Sequence, residues 1–298
     1  MEDFKSLIKL LTKSVDNFQK VIPGIQRAML DRLREELASL KLNENNRSIQ
    51  ISASNVRRIA SITAKLRSLI LTPEYKAAVK EYLKAFDEVT SIQNAYFKTL
   101  EKKFKPPILA DALQKQAVIG VLQNLTERGI ETNVLSGIED ILRKNITTGG
   151  SYAELQRALQ NNLTNNGTGD GSLQRYTKQM TTDALNQHSA QYTQLVASDL
   201  GLQWFKYSGS NIETSRPFCL ACTKKKWIHI SEFPALLDGD FPEFREFDGT
   251  LYKGLPAGMI PDTTPSNFPI NRGGYNCGHQ LRPVTEDQVP EDIRAAFS

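Results

Sequence analysis

Four side chains in the last third of the chain have the chemistry of metal ligands. Cys219 and Cys222 form a C-x-x-C motif, and Cys277 and His279 flank a single glycine. Thiolate and imidazole groups are ligands that Zn²⁺ prefers in structural sites, where four of them form a tetrahedron. Two ligand pairs on separate turns would join two distant stretches of chain. The pattern therefore predicts one structural zinc ion bound by these four residues.

Two other interpretations of the cysteines remain open. The pairs are separated by 54 residues, and C-x-H is a less common spacing than C-x-x-C, so the cysteines could instead be small buried apolar side chains. A redox C-x-x-C is a second alternative, but that motif belongs in a βαβ unit, which the helical sequence before Cys219 does not offer. An odd cysteine count, with no clear signal segment, argues against a disulfide framework.

No other group of residues has a recognisable catalytic order. His188 lies in a helical stretch and His229 in a strand-like one, and the chain has no G-x-S-x-G, P-loop or H-E-x-x-H motif. The acidic residues that crowd one loop without matching an EF-hand are Asp238, Asp240, Glu243, Glu246 and Asp248. The sequence predicts that the chain is not an enzyme. A metal-dependent nuclease or toxin is an alternative that would have to use His229 and these carboxylates.

The charge is small and unevenly distributed. The net charge of the chain is +4, which does not by itself indicate a nucleic-acid partner. Residues 1–200 carry 27 basic and 21 acidic residues (+6), whereas residues 201–298 carry 10 and 12 (−2). The run Lys224-Lys225-Lys226 beside Trp227 could contact phosphate, although such a run is more typical of a solvated turn. The positive net charge of residues 1–200 could place DNA or an acidic partner near the N-terminal part. The alternative of a zinc-containing nucleic-acid-binding module is not favoured by the charge of the C-terminal part.

Residues before about 200 have the apolar spacing of helices almost throughout. After Thr72-Pro73, which is a helix-start signal, apolar side chains recur three or four residues apart. They are Val79, Tyr82, Phe86, Val89, Tyr96 and Leu100. Ser151 and Glu154 predict a capped helix start, and the polar stretch 161–171 predicts a loop. The apolar stripe is typical of a bundle helix and also permits self-association through a coiled coil.

The amino-acid composition changes after residue 201, where nine of the 13 prolines and many aromatic residues lie. Short strands and turns around a small aromatic core are expected there. We therefore predict a mainly α protein with a small α+β module. An elongated helical N-terminal region would span residues 1–172, and a C-terminal module residues 173–298. In that module a long helix at 173–200 would lead into a compact part at 201–298. No apolar run reaches the roughly 20 residues that would indicate a membrane partner.

Three short motifs within residues 175–285 follow one another in an order typical of a known family. They are Gly201-Leu202-Gln203-Trp204-Phe205-Lys206-Tyr207, Ser215-Arg216-Pro217-Phe218-Cys219 and Tyr275-Asn276-Cys277-Gly278-His279. This order resembles the Mu-F-like phage head morphogenesis domain. The family-motif residues would be Trp204, Tyr207, Arg216, Pro217, Phe218 and Asn276. Two departures are Gly278, where arginine is usual, and Met180-Thr181-Thr182-Asp183 at the start of the preceding helix.

The resemblance implies a structural role in a virus particle. Members of the family are minor head proteins that join the procapsid close to the portal. The expected partners are therefore the portal protein, the major capsid protein, or both. The expected location is the virion, reached from the host cytoplasm during assembly, and a part in genome packaging or delivery would be consistent with that position.

Overall fold

The structure, a computed structural model, describes residues 2–165, 170–248, 255–275 and 277–297. In these residues helices dominate, and a three-stranded antiparallel sheet forms towards the C-terminal end. The prediction of a mainly α fold with a small α+β part is therefore confirmed. Within the same residues, no helix has both the length and the apolar character that spanning a bilayer requires.

Nine helices are described before residue 200. They are α1 (Glu2–Gln19), α2 (Ile22–Ala38), α3 (Ala53–Ile70), α4 (Pro73–Leu100), α5 (Ala110–Thr126), α6 (Arg128–Ile130), α7 (Ser136–Thr147), α8 (Tyr152–Thr164) and α9 (Ser172–Asp199). A π-helical turn, Glu131–Leu135, joins α6 to α7. The apolar stripe of α4 is buried within the chain itself at Val79, Tyr82 and Phe86, as a bundle helix requires.

Hydroxyl side chains begin three of these helices. The oxygen of Thr72 accepts a hydrogen bond from the Tyr75 amide at 3.2 Å, just before Pro73 opens α4. In the same way Ser52 accepts from Asn55 at 3.2 Å, and Ser151 from the Glu154 amide at 3.5 Å. Each hydroxyl satisfies an amide that has no partner inside the helix, which is why the chain turns into a helix at these residues.

The loop predicted for residues 161–171 begins later than the sequence indicated. Helix α8 continues to Thr164, because Leu163 lies one turn after Leu159 and both are fully buried. The side-chain amide of Gln26 also donates to the Leu163 carbonyl at 2.5 Å. Burial of one leucine on the core-facing stripe therefore outweighs the weak helix propensity of the surrounding asparagines and threonines. Residues 166–169 lie outside the described part of the chain.

Short elements surround the sheet after residue 200. The strands are β1 (Trp204–Ser208), β2 (Trp227–His229) and β3 (Gln280–Val284), and the sheet order is β2-β1-β3. The helices are α10 (Pro217–Lys225), α11 (Phe233–Leu237), α12 (Pro242–Asp248), α13 (Phe268–Asn271) and α14 (Glu291–Arg294), with 3₁₀ turns at Ile230–Glu232, Glu286–Gln288 and Ala295–Phe297. In the register of the sheet, Lys206 of β1 lies opposite Trp227 on one side and Arg282 on the other.

The chain divides into two compact units by its internal contacts. Unit 1 consists of Met1–Thr12, Ala85–Ala117 and Thr182–Ser298, and unit 2 consists of Lys13–Lys84 and Val118–Thr181. Each unit is thus assembled from stretches that are distant in sequence. The division into domains at residues 172 and 173 stays a prediction.

Each unit has its own core. In unit 2, fully buried leucines and isoleucines line the helices, and the Phe18 ring contacts Tyr75 and Tyr82 at centroid distances of 5.7 and 5.8 Å. In unit 1, the inner face of the sheet contributes Phe205 and Tyr207 to an apolar cluster. The other members of that cluster are Ala197, Phe218, Ala221, Cys222, Ile228, Phe233, Leu236, Leu237, Phe241, Phe244, Met259, Phe268 and Leu281. The small aromatic core expected after residue 201 is therefore present.

Candidate metal centre

Cys219 is held at the start of a short helix in unit 1. Pro217 occupies the first turn of α10, where its fixed φ suits a helix and its missing amide costs nothing. Phe218 packs edge-on against three phenylalanine rings of the core, at centroid distances of 6.1 to 6.2 Å. Burial of Phe218 thereby fixes the rotation of α10 and the direction in which Cys219 projects.

Cys277 and His279 lie on the loop that leads into β3, and glycines allow this loop to approach α10. A Cβ atom at Gly273 would lie 2.3 Å from the Cys219 sulfur and 2.9 Å from the Cys277 sulfur. Gly274 has a φ of +91°, and a Cβ there would lie 1.9 Å from the Gly258 carbonyl oxygen. No L side chain fits at these two positions, so the pair Gly273-Gly274 is needed for the approach.

Arg216 connects the loop to α10 directly. Its guanidinium donates one hydrogen bond to the Gly273 carbonyl at 2.6 Å and another to the Tyr275 carbonyl at 2.8 Å. Charge-assisted hydrogen bonds of this kind are stronger than neutral ones. Arg216, which belongs to the motif at residues 215–219, therefore holds the loop that contains the motif at residues 275–279.

The structure brings three of the four predicted ligands together. The ligand atoms of Cys219, Cys277 and His279 all lie within 4.8 Å of one another, and all three residues are buried. The two sulfur atoms are 4.0 Å apart, and Nδ1 of His279 is 3.8 Å from the Cys277 sulfur. Two sulfur ligands of one tetrahedral zinc ion lie about 3.8 Å apart, given Zn–S bonds of about 2.3 Å. The spacing therefore suits a metal ion and is too long for a disulfide, whose S–S bond is about 2.05 Å.

A second polar contact orients His279. Its Nε2 lies 3.2 Å from the Asn211 side-chain oxygen, which can only accept a hydrogen bond. When Nε2 donates to this oxygen, the lone pair of Nδ1 in the neutral ring faces the two cysteines. Metal-binding histidines are usually oriented by such a partner on the opposite ring nitrogen.

Tyr207 closes another side of the cluster. Its ring is stacked on His279 with the planes at 24°, and its hydroxyl lies 3.7 Å from the Cys219 sulfur and 3.8 Å from the Cys277 sulfur. Burial and the neighbouring cysteines raise the pKa of Tyr207 well above its usual value, so the hydroxyl keeps its proton and can donate it to sulfur.

The two neighbouring thiols differ in the direction of their pKa shifts. Their mutual hydrogen bond raises the pKa of Cys219 and lowers that of Cys277, and the charge of Arg272 lowers the pKa of Cys277 further. A lowered pKa favours the thiolate at Cys277, and the thiolate is the form that binds metal ions.

Arg272 places a positive charge within this buried part of the molecule. Its side chain is only 3% exposed, and it donates to the Gln280 side chain at 2.8 Å and to the Asn186 carbonyl at 3.3 Å. Burial lowers its pKa, and the neighbouring Cys277 raises it again. A buried guanidinium is costly without negative charge nearby, and the thiolate supplies such charge. Sequence reasoning missed Arg272, Asn211 and Gly273, because none of them belongs to a recognised ligand spacing.

Cys222, the fourth predicted ligand, is not part of the cluster. It is fully buried one turn after Cys219, and its side chain belongs to the apolar core of unit 1. Burial raises its pKa well above the usual value, so it is a neutral thiol among apolar neighbours. The C-x-x-C pair is therefore split between two environments, because residues three apart on a helix need not face the same neighbour.

The remaining predicted residues have structural contacts. Trp204 packs against His229 and Phe297 at centroid distances of 4.9 and 5.0 Å. His229 caps the 3₁₀ turn that follows it, since its Nδ1 accepts from the Ser231 amide. Asn276 lies outside the described residues.

Comparison of the chain with protein-family models, with curated proteins and with solved structures gives no match. The resemblance to the Mu-F-like family thus rests on the three sequence motifs.

Proposed function

We propose that this chain is a minor structural protein of a tailed-phage virion that acts in head assembly close to the portal. In this proposal it is not an enzyme. Unit 1 is stabilised by one zinc ion bound through Cys219, Cys277 and His279. The ion would join α10 to the loop before β3, in addition to the two hydrogen bonds of Arg216. The Tyr207 ring and hydroxyl cover another side of the three ligand atoms.

A single observation carries this proposal. The two most specific motifs of the family resemblance, residues 215–219 and 275–279, meet in one buried cluster. Arg216 of the first motif donates to the loop of the second, and Cys219 lies beside Cys277 although the two are 58 positions apart in the sequence. Residues of both motifs form one cluster. This favours the interpretation that the motifs have a structural role in common over the interpretation that the short segments resemble the family by chance.

The alternatives have weaker support. A metal-dependent nuclease or toxin would need His229 or the carboxylates of residues 238–248 at the metal. In the part of the chain that the structure describes, none of these joins Cys219, Cys277 and His279 in one ligand group. The ring of His229 is engaged with Ser231 instead. A rigid cluster of soft ligands under apolar cover is better suited to holding a surface in shape, for binding the portal or the major capsid protein.

The assembly role can be tested with the full-length chain in cells infected by the phage that encodes it. We expect the tagged chain to co-purify with the portal or the major capsid protein, and to be found in purified particles by quantitative mass spectrometry. Arg216→Gln should reduce its incorporation, because the loop loses both hydrogen bonds. Arg245→Gln removes an exposed arginine that pairs with Asp240 and serves as the control. A chain recovered with neither partner and absent from particles would contradict the proposal.

A further inference from the structure

The outer face of the sheet in unit 1 carries a row of cations. Antiparallel pairing puts Lys206 of β1 between Trp227 of β2 and Arg282 of β3. Successive side chains of a strand point to opposite faces. Because Phe205 and Tyr207 belong to the core, Lys206 and its two neighbours in the row lie on the other face, where all three are half-buried.

Lys226 adds a further cation to this row. Of the three consecutive lysines, Lys224 pairs with Glu246 and Lys225 with Glu232. Lys226 instead has a φ of +68°, which is unfavourable for a side chain with a Cβ, and it turns back over the indole ring of Trp227.

Two ammonium groups therefore lie against one ring. The nitrogens of Lys226 and Lys206 are 5.8 and 5.2 Å from the Trp227 ring centre. Among the residues that the structure describes, neither lysine forms an ion pair.

Positive charges lie close together in this row of side chains. Lys206 and Arg282 lie directly opposite each other, an arrangement that destabilises a strand pair. Burial lowers the pKa of Lys206, and the charges of Arg282 and Lys226 lower it further, so Lys206 experiences both neighbours. A bound anion would offset the repulsion that Lys206 experiences, while the Arg282 guanidinium also lies over the Tyr96 ring, 5.5 Å from its centre. The net charge of −2 over residues 201–298 hides this feature, because the acidic side chains pair elsewhere or lie on other elements.

We propose that the cationic face formed by Lys206, Lys226, Trp227 and Arg282 binds the phosphate backbone of double-stranded DNA without sequence preference. Because two ammonium groups already lie against the indole ring, a ligand of this face would contact positive charge and would not stack on the ring. Duplex DNA presents one negative charge for about every 1.7 Å of its axis, which suits closely spaced cations better than the sparser carboxylates of a polypeptide. This inference depends neither on a zinc ion nor on the proposed role in assembly.

The salt dependence of DNA binding tests this assignment. Fluorescence anisotropy of the full chain with a labelled duplex of mixed sequence should give a slope of log K against log salt of about −2.7, the value for three phosphate contacts. The affinity should then fall about 40-fold between about 50 and 200 mM salt. Lys206→Gln and Lys226→Gln should each reduce the magnitude of the slope by about 0.9. Lys226 is exposed, so its variant tests the site without a risk to folding.

Lys224→Gln is the matched control, since it removes the same charge two residues away from a lysine that pairs with Glu246. We expect its slope to equal that of the unmodified chain. An equal loss in Lys224→Gln and Lys226→Gln would overturn the proposal, because binding would then follow overall charge. The absence of DNA binding would also overturn it. So would displacement of the duplex by polyglutamate of matched charge at equal affinity, since the face would then fit an acidic polypeptide.

Discussion

The two units differ in how their buried side chains come together. In unit 2, one helix carries three buried leucines one turn apart: Leu155, Leu159 and Leu163. In unit 1, the neighbouring sulfurs belong to Cys219 and Cys277, which are 58 positions apart in the sequence. The first set is brought together as soon as α8 forms, and it is stable because its apolar face is buried. The second set requires a helix, a glycine loop and a strand edge to be in place together. The leucine stripe of α8 thus follows from a repeated local pattern, whereas the cluster in unit 1 depends on a few long-range contacts between particular residue types.

The largest effect should come from truncating the leucine stripe of unit 2. Leu159→Ala is expected to lower the free energy of unfolding by about 2–5 kcal/mol, because Leu159 is fully buried and its loss leaves a cavity. Hydrogen exchange followed by mass spectrometry should show faster exchange in Tyr152–Thr164 and little change in Trp204–Ser208. An equal increase of the exchange rate in both segments would contradict this contrast, since the two regions would then unfold together.

A buried histidine in the helical part of unit 1 should make stability depend on pH. His188 is 1% exposed, packs against Phe86, and lies 3.2 Å from the Thr90 hydroxyl through Nε2. Burial lowers its pKa from 6.5 to about 4, so between these values the unfolded chain binds a proton that the folded chain does not. Stability should therefore fall as the pH decreases through this range, by about 3 kcal/mol once pH 4 is reached.

The measurement for His188 is denaturant unfolding at a series of pH values, with His188→Gln as the comparison variant. The difference between the two stabilities isolates the histidine from the carboxylates, which titrate in both proteins. It should shrink steadily between pH 6.5 and pH 4. A constant difference across that range would show that His188 accepts a proton as readily in the folded chain as in the unfolded one.

The glycine loop of unit 1 offers an intermediate effect with a close control. Gly273→Ala is expected to destabilise unit 1 by about 1–3 kcal/mol, because the added carbon overlaps the Cys219 sulfur and the loop must move away. Gly278→Ala adds the same carbon five residues later, where no atom lies within 4 Å. Thermal melting should separate the two variants, and similar melting temperatures would mean that the loop does not depend on close approach to α10.

The smallest effect should come from a helix cap. Ser52→Ala removes the oxygen that accepts the Asn55 amide at the start of α3 and should cost about 1 kcal/mol. Ser52→Asp retains an acceptor and should restore most of that loss. Chemical denaturation of the two variants provides the test. If the aspartate variant were no more stable than the alanine variant, the hydroxyl would not be acting as a cap.

The same contrast between regions explains what the sequence could predict. The leucine spacing, the start of α4 after Thr72-Pro73 and the cap at Ser151 are local signals, and the helices follow them. Helix α8 extends past its predicted end, since the burial of Leu163 depends on packing that composition does not reveal.

The candidate site could be predicted only in part. Residue types identified Cys219, Cys277 and His279, because soft ligands are few in this chain. The exclusion of Cys222 depends on which face of α10 packs against the core. The contributions of Arg272 and Asn211 depend on segments that approach from elsewhere in the chain, which no spacing encodes.

The most direct test of the account is the zinc content of the purified full-length chain and of two cysteine variants, measured by elemental analysis. Cys219→Ala and Cys222→Ala change the same residue type one turn apart on α10. We expect about one zinc ion per chain in the unmodified protein and in Cys222→Ala, and none in Cys219→Ala, because Cys219, Cys277 and His279 would form the site. An unmodified chain without zinc, or zinc lost from Cys222→Ala but kept by Cys219→Ala, would contradict it.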